Sequence, residues 1–272
     1  MSSPPTPSTP GGRQPLPGSV ASTAIAGLLA AAPRPARVLG ASATAVYLAI
    51  EGGEEGPDVV AIVAARGVHL PVAVAVPGQA PPIHLAAAVR VGGGGIHLGG
   101  WSLIPARWVD PRPHIPGRPL ATRLDEAEEL LAVPAETAGL GVHPAAAVAH
   151  GLRTGNPAPA LDLLGQGPGL TPSGDDVVAG AAAAVAILGR LDPAASAAVV
   201  GAARTGTTVL SAALLRCATR GEMVPQAAEL LRALCGQGAV ASALDGLLGV
   251  GHTTGAALAL GLCAGARSAL AG

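Results

Sequence analysis

The stretch Pro111-Arg-Pro-His-Ile-Pro-Gly-Arg-Pro119 separates two textures that no single layer of secondary structure can share. Proline fixes φ, lacks an amide donor and biases the preceding residue toward extended backbone, so the stretch reads as an extended linker. Ahead of it, from about Arg37 to Pro113, short β-branched or alternating runs are punctuated by Gly and Pro. Strands are predicted over Ala45–Glu51, Asp58–Ala65, Leu70–Val76, Ile83–Val91, Gly95–Leu98 and Ser102–Ile104. Behind it the apolar spacing is helical, with helices predicted over Leu124–Ala132, Ala145–Leu152, Asp175–Leu188, Pro193–Ala203, Thr207–Thr219, Pro225–Leu234, Ala239–Leu248 and Thr254–Ala269. The two textures predict an α+β chain: an N-terminal β-rich domain, barrel- or sandwich-like, followed by an all-α C-terminal domain. The boundaries drawn are a Pro-rich disordered tail over 1–18, a β-rich domain with its linker over 19–119, and a helical domain over 120–272. Ser19–Ala32 reads as a short first helix.

The core has to be assembled from Ala, Val, Leu and Ile, because Phe is absent and the aromatics are Trp101, Trp108 and Tyr47. So much Ala and Gly implies close helix packing. All 16 basic residues are arginine, which removes Schiff-base and pyridoxal-phosphate chemistry, a Walker A loop and a kinase-type lysine. A net charge of −1, with basic residues scattered and no aromatic platform, leaves no footprint for nucleic acid. Cys217, Cys235 and Cys263 lack metal or redox spacing and read as buried small hydrophobes in a reducing compartment. His69, His84 and His97 fall on strands at unrelated spacings, as decoration of strand faces rather than metal ligands. Trp101 and Trp108 read as cover for a sheet edge or an interdomain seam. Neither residues 18–32 nor Gly246–Ala266 makes a convincing leader or membrane span, so the expectation is a soluble, cytoplasmic protein with no membrane contact.

Chemistry concentrates in residues 165–180, Gly-Gln-Gly-Pro-Gly-Leu-Thr-Pro-Ser-Gly-Asp-Asp-Val-Val-Ala-Gly. Gly165, Gly167 and Gly169 let backbone approach a ligand, Pro168 and Pro172 stiffen the loop, and Ser173 occupies the expected N-cap before Gly174. Asp175 and Asp176 then fall in the first helical turn, where they either complement the helix dipole or hold a magnesium ion through hard oxygen ligands. Two further helices begin with hydroxyl-and-glycine clusters: Thr205-Gly-Thr207-Thr208, with Ser211 a turn on, and His252-Thr253-Thr254-Gly255. Each cluster alone is ordinary capping. Three such starts around one hollow would instead cradle a phosphate or carboxylate without lysine. Arg216, inside the apolar run Leu214–Ala218, needs a carboxylate or anionic partner, with Asp175 or Asp176 the expected one. His252, in a polar loop, is the proton-transfer candidate beside a plain structural role. The spacing fails a dinucleotide fingerprint and a nucleophile elbow, although Ser173, His252 and an aspartate could form a hydrolytic triad.

The run at 165–176 closely resembles the hallmark of a bacterial family of domains without assigned function that includes the AllH subunit of oxamate carbamoyltransferase, from allantoin catabolism. Thr207-Thr208-x-x-Ser211-x-x-Leu214-Leu215-Arg216-x-Ala218-x-x-Gly221 and Gly251-His252-Thr253-Thr254-Gly255 resemble its other recurrent blocks, in the same order. Thr254 stands in place of a common serine, and Ala256-Ala257 replace more polar residues. The resemblance covers mainly residues 160–266 and implies a carbamoyltransferase-type subunit that binds a small anionic phosphorylated substrate such as carbamoyl phosphate and works with partner subunits. Gly167, Gly169, Thr171, Ser173, Gly174, Thr207, Thr208, Ser211, Thr253, Thr254 and Gly255 would hold the anion. Asp175, Asp176, Arg216 and His252 would serve catalysis, with magnesium optional at the two aspartates. The alternatives are a non-catalytic interaction subunit and an independent metal- or Ser-dependent hydrolase.

Overall fold

The computed structural model describes residues 16–51, 58–80, 88–98, 101–137 and 142–270. Its first half is one sheet of β1 (Leu16–Ser22), β2 (Arg34–Ala41), β3 (Ala45–Ile50), β4 (Asp58–Ala64), β5 (Ala73–Val76), β6 (Val89–Gly92), β7 (Gly95–Leu98), β8 (Trp101–Leu103) and β9 (Pro105–Val109). The spatial order is β8-β7-β6-β2-β3-β4-β5-β1-β9. The β4–β5 and β1–β9 pairs are parallel and the others antiparallel. The strands at the two ends of that order, β8 and β9, are consecutive in the chain and separated by Ile104 alone. Covalent continuity therefore draws the ends together, and the sheet curls into a nearly closed barrel, with the Leu16 amide donating to the Ile104 carbonyl at 2.8 Å. Of the two β architectures expected, this is the barrel-like one.

The N-terminus departs from expectation. Leu16–Ser22 is strand β1, taking in the last residues of the expected tail and the start of the expected helix; only a 3₁₀ turn at Thr23–Ile25 and a short helix α1 (Ala26–Ala30) are helical there. Residues 1–15 lie outside the described residues. Pairing with β5 on one side and β9 on the other buries Ala21 and overrides the local Pro-Gly-Ser composition. Pro17 falls within the register shift between Leu16 and Val20, where a missing amide costs no regular rung. Strands β2 and β9 also escaped the sequence pattern, and each carries a proline near its start. Trp101 and Trp108 sit on the terminal strands β8 and β9 and are 40% and 44% exposed. His97 spends both ring nitrogens within the sheet, on the Ser102 hydroxyl at 2.9 Å and the Gly92 carbonyl at 2.8 Å. His84 lies outside the described residues.

The second half is helical: α2 (Ala121–Thr137), α3 (Val142–Thr154), α4 (Ala158–Leu161), α5 (Ser173–Ile187), α6 (Pro193–Gly206), α7 (Val209–Thr219), α8 (Pro225–Leu234), α9 (Val240–Leu248) and α10 (Thr254–Leu270). Among the described residues no helix is long and apolar enough to cross a membrane. The centre is α5 against α10. A Cβ at Gly180 would overlap the Leu258 carbonyl, and one at Gly261 the Val177 carbonyl, so the two backbones touch at glycine. Close approach of this kind is how a core without phenylalanine reaches native density. Helix α7 is shared between the two halves: Leu210, Ala213 and Cys217, spaced i, i+3, i+7, join the barrel core, while Ala212, Leu215 and Ala218 join the helical core.

Candidate functional site

The glycine-rich segment lies between α4 and α5 and is folded back on helix ends rather than held open. Gly165 has φ +73° and stands so close to the Gly206 carbonyl that a side chain there would collide with it. Gly167 has φ +113°, and a Cβ on it would lie 2.9 Å from the Ser173 amide. The Gly174 amide donates to the Gln166 carbonyl at 2.9 Å. Residues 165–170 are nonetheless exposed, so the loop forms a rim over a buried floor.

That floor begins with the acidic pair. Asp175, 1% exposed, accepts the Gly165 amide at 2.8 Å through Oδ1 and the Thr207 hydroxyl through Oδ2. It thereby ties the loop turn to the end of α6. Ser173 is the first residue of α5, not its cap; Pro172 holds the cap position, and the Ser173 hydroxyl lies 3.2 Å from that of Thr253. Thr171 and Thr254 hydroxyls are 3.3 Å apart. Thr208 caps α7, accepting the Ser211 amide at 3.1 Å, and donates its hydroxyl to the Leu170 carbonyl at 2.5 Å. The starts of α5, α7 and α10 thus gather at one place, bound to one another. Gly255 packs its backbone against the Leu247 carbonyl, Gly169 is exposed with φ +96°, and His252 is an exposed turn residue ahead of α10.

Arg216 is elsewhere. Its guanidinium lies 3.6 Å from Asp58 Oδ1 on β4, and Arg34 of β2 donates to the other oxygen at 3.0 Å. The expected pairing with Asp175 or Asp176 is therefore corrected: α7 turns this side chain, 12% exposed, toward the barrel face rather than toward the loop.

Asp176 differs from its neighbour. It is 5% exposed, and its Oδ2 has no hydrogen-bond partner among the described residues. Burial pushes its carboxyl up to about 8, against a lowering hydrogen bond from Thr254 and with a smaller raising contribution from the Asp175 charge. A buried carboxyl that keeps its proton at neutral pH can both donate and accept. It lines a cavity of about 220 Å³ between barrel and helices, together with Thr171 and Thr254. The remaining wall is mostly apolar, with Leu210, Leu214 and Met223 from the helical side and Tyr47 and Leu70 from the barrel. Glu222 also lines it, with both oxygens held by Arg220 at 3.0 and 2.7 Å. Among the described residues no arginine or histidine lines it.

The acidic pair fits magnesium poorly. Both Asp175 oxygens already accept protein donors, which leaves Asp176 Oδ2 as the one open carboxylate oxygen of the pair for a cation that prefers several hard oxygen ligands. Among the described residues no three His, Cys, Asp or Glu side chains group as a metal site would need. The barrel contribution to the cavity escaped the sequence reading. Tyr47, the chain's single tyrosine, was its one visible signal, since strand periodicity cannot say which helix a barrel face meets. No solved structure matches this chain. Residues 163–266, the segment holding all three gathered helix starts, match the family described as oxamate carbamoyltransferase subunit AllH, the same family whose motif the 165–176 run resembles.

Proposed function

We propose that this chain is an AllH-like subunit of a carbamoyltransferase-type enzyme, working with partner subunits and binding carbamoyl phosphate at the 165–171 loop and the hydroxyls beneath it. The observation that carries the reading is the meeting of three helix starts, α5 with α10 through Thr171 with Thr254 and Ser173 with Thr253, and α7 through the Thr208 hydroxyl on the Leu170 carbonyl, inside the family-matched segment. Helix starts and hydroxyls suit phosphate oxygens, which here would exchange hydroxyl–hydroxyl bonds for charge-assisted ones. His252, one residue before Thr253 and open to solvent, is the group positioned to move a proton at the rim. Arg216 has no part in this reading, because Asp58 engages it. Magnesium has none either.

Calorimetry of the purified chain with carbamoyl phosphate tests it. Wild type should bind with or without chelator, and Thr171→Val with Ser173→Ala should weaken binding about tenfold or more, by loss of hydrogen bonds to a charged group. Equal binding by wild type and double variant would refute the assignment. The mutual satisfaction of the four hydroxyls favours a second reading, a non-catalytic subunit whose motif only knits helices together. On that reading the isolated chain binds no carbamoyl phosphate, and the double variant loses stability instead.

A further inference from the structure

The cavity beneath the loop is too large and too apolar for a small phosphorylated anion alone. An engineered apolar cavity of about 150 Å³ admits benzene, and this one measures about 220 Å³. Among the described residues its lining holds two carboxyls and no cation, so an anionic guest buried in its apolar depth would meet acids and no opposite charge. Glu222 is already locked to Arg220, and the Thr171 and Thr254 hydroxyls face each other. The buried Asp176 Oδ2, without a partner, is the polar atom there that lacks a complement. An unsatisfied buried oxygen is costly in an empty molecule and is resolved by a guest that bonds to it.

We propose that the cavity between the barrel and helices α5, α7 and α10 binds an uncharged primary amide with an aliphatic body, its amide on Asp176 and its chain along Leu210, Leu214, Met223 and Leu258. A carboxyl and a primary amide are complementary, each offering one donor and one acceptor on the same edge. An alkylammonium would also complement the carboxylate form. It would, however, bury two opposite charges in an apolar chamber, and desolvation offsets much of that attraction. The neutral pair buries no charge. This deepens the preceding reading, in that the amide pocket adjoins the carbamoyl phosphate loop through Thr171, yet the binding claim stands independently of what occupies the loop.

The test uses the full chain at pH 7 and four probes, butanamide, hexanamide, hexanoate and hexylamine, with binding followed by calorimetry and ligand-observed NMR. Affinity should rise about fourfold per methylene from butanamide to hexanamide as apolar surface is buried, while hexanoate fails to bind and hexylamine binds at least tenfold more weakly than hexanamide. Ala183→Leu, which fills the cavity from α5, should weaken hexanamide at least tenfold. The wild-type series alone decides the matter should that variant fold poorly. Absence of amide binding, or hexanoate or hexylamine binding as tightly as hexanamide, would overturn the proposal. A carbamoyl phosphate titration run in parallel separates the two readings. Hexanamide bound by a chain that ignores carbamoyl phosphate upholds the cavity and refutes the loop, and the reverse pattern refutes the cavity alone.

Discussion

Asp175 and Asp176 are adjacent, equally acidic by composition and both buried, yet the fold assigns them opposite tasks. Asp175 is a clamp, satisfied by an amide of the loop and a hydroxyl at the end of α6. Replacing it with alanine strands both donors, and the expected cost is about 3 kcal/mol in a urea titration, the range for buried hydrogen bonds to a charged group; a loss under 1 kcal/mol would mean the clamp is dispensable. Asp176 holds its proton to about 8 when folded, against an ordinary value of 3.8. Between those pH values the native state binds one proton more than the unfolded state, so this residue makes stability fall as pH rises. The limiting slope is about 1.4 kcal/mol per pH unit. The groups facing it are Asp175 on the same helix, Glu222 already paired with Arg220, and the Tyr47 phenol, which burial raises above its ordinary value. Wild type should therefore lose about 2 kcal/mol relative to Asp176→Asn between pH 6 and pH 8. A difference between the two proteins that stays constant across this range would show that Asp176 is ionised throughout. The motif announced that carboxylates matter here; which one is satisfied and which is stranded depends on Thr207, Gly165 and a barrel wall remote in sequence.

At the scale of elements, α5 and α10 stake the helical half on backbone contact. Gly261→Ala forces a methyl into the Val177 carbonyl, and the expected loss is about 2 to 3 kcal/mol, typical of overpacking. Gly201, exposed within α6 and with no atom near a Cβ placed there, is the matching control. Gly201→Ala should stabilise by up to about 1 kcal/mol, so thermal melts of the two variants should move in opposite directions. If both rose alike, helix propensity would outweigh interhelical contact at Gly261 and the close backbone approach would not be what holds α5 to α10. These helices were legible because period and punctuation agree: Pro225–Leu234 has the same bounds in sequence and structure, and the other predicted helices start or end within a few residues of their observed limits. Helix α4, a single turn, has too few residues to show a period. The strand β1 was illegible for a different reason. Its Leu-Pro-Gly-Ser-Val-Ala-Ser composition favours irregular backbone, and what makes it a strand is a vacancy between β5 and β9, both more than forty residues away.

For the whole molecule, α7 decides how the barrel and the helices meet. Its two apolar faces enter both cores, and Arg216 on the same helix reaches Asp58, which Arg34 holds from the other side. The cavity that Asp176 lines has one wall from each half, so this seam also sets the shape of the candidate site. An arginine in an apolar helical run signalled an anionic partner from sequence alone; that the partner is Asp58, at the start of a strand, follows only from the packing of α7 on β3 and β4. Arg216→Ala should then act on the seam and not on the loop. It removes a partly buried charge and leaves Asp58 to Arg34, for an expected loss of about 1 to 3 kcal/mol. Asp58→Ala leaves two arginines facing each other and should cost more, and the double variant should cost less than the two single losses added together, because the residues share one ion-pair network. Carbamoyl phosphate affinity measured on folded Arg216→Ala protein should match wild type. A strong drop in that affinity with unchanged stability would return Arg216 to the binding site and refute its assignment to the seam.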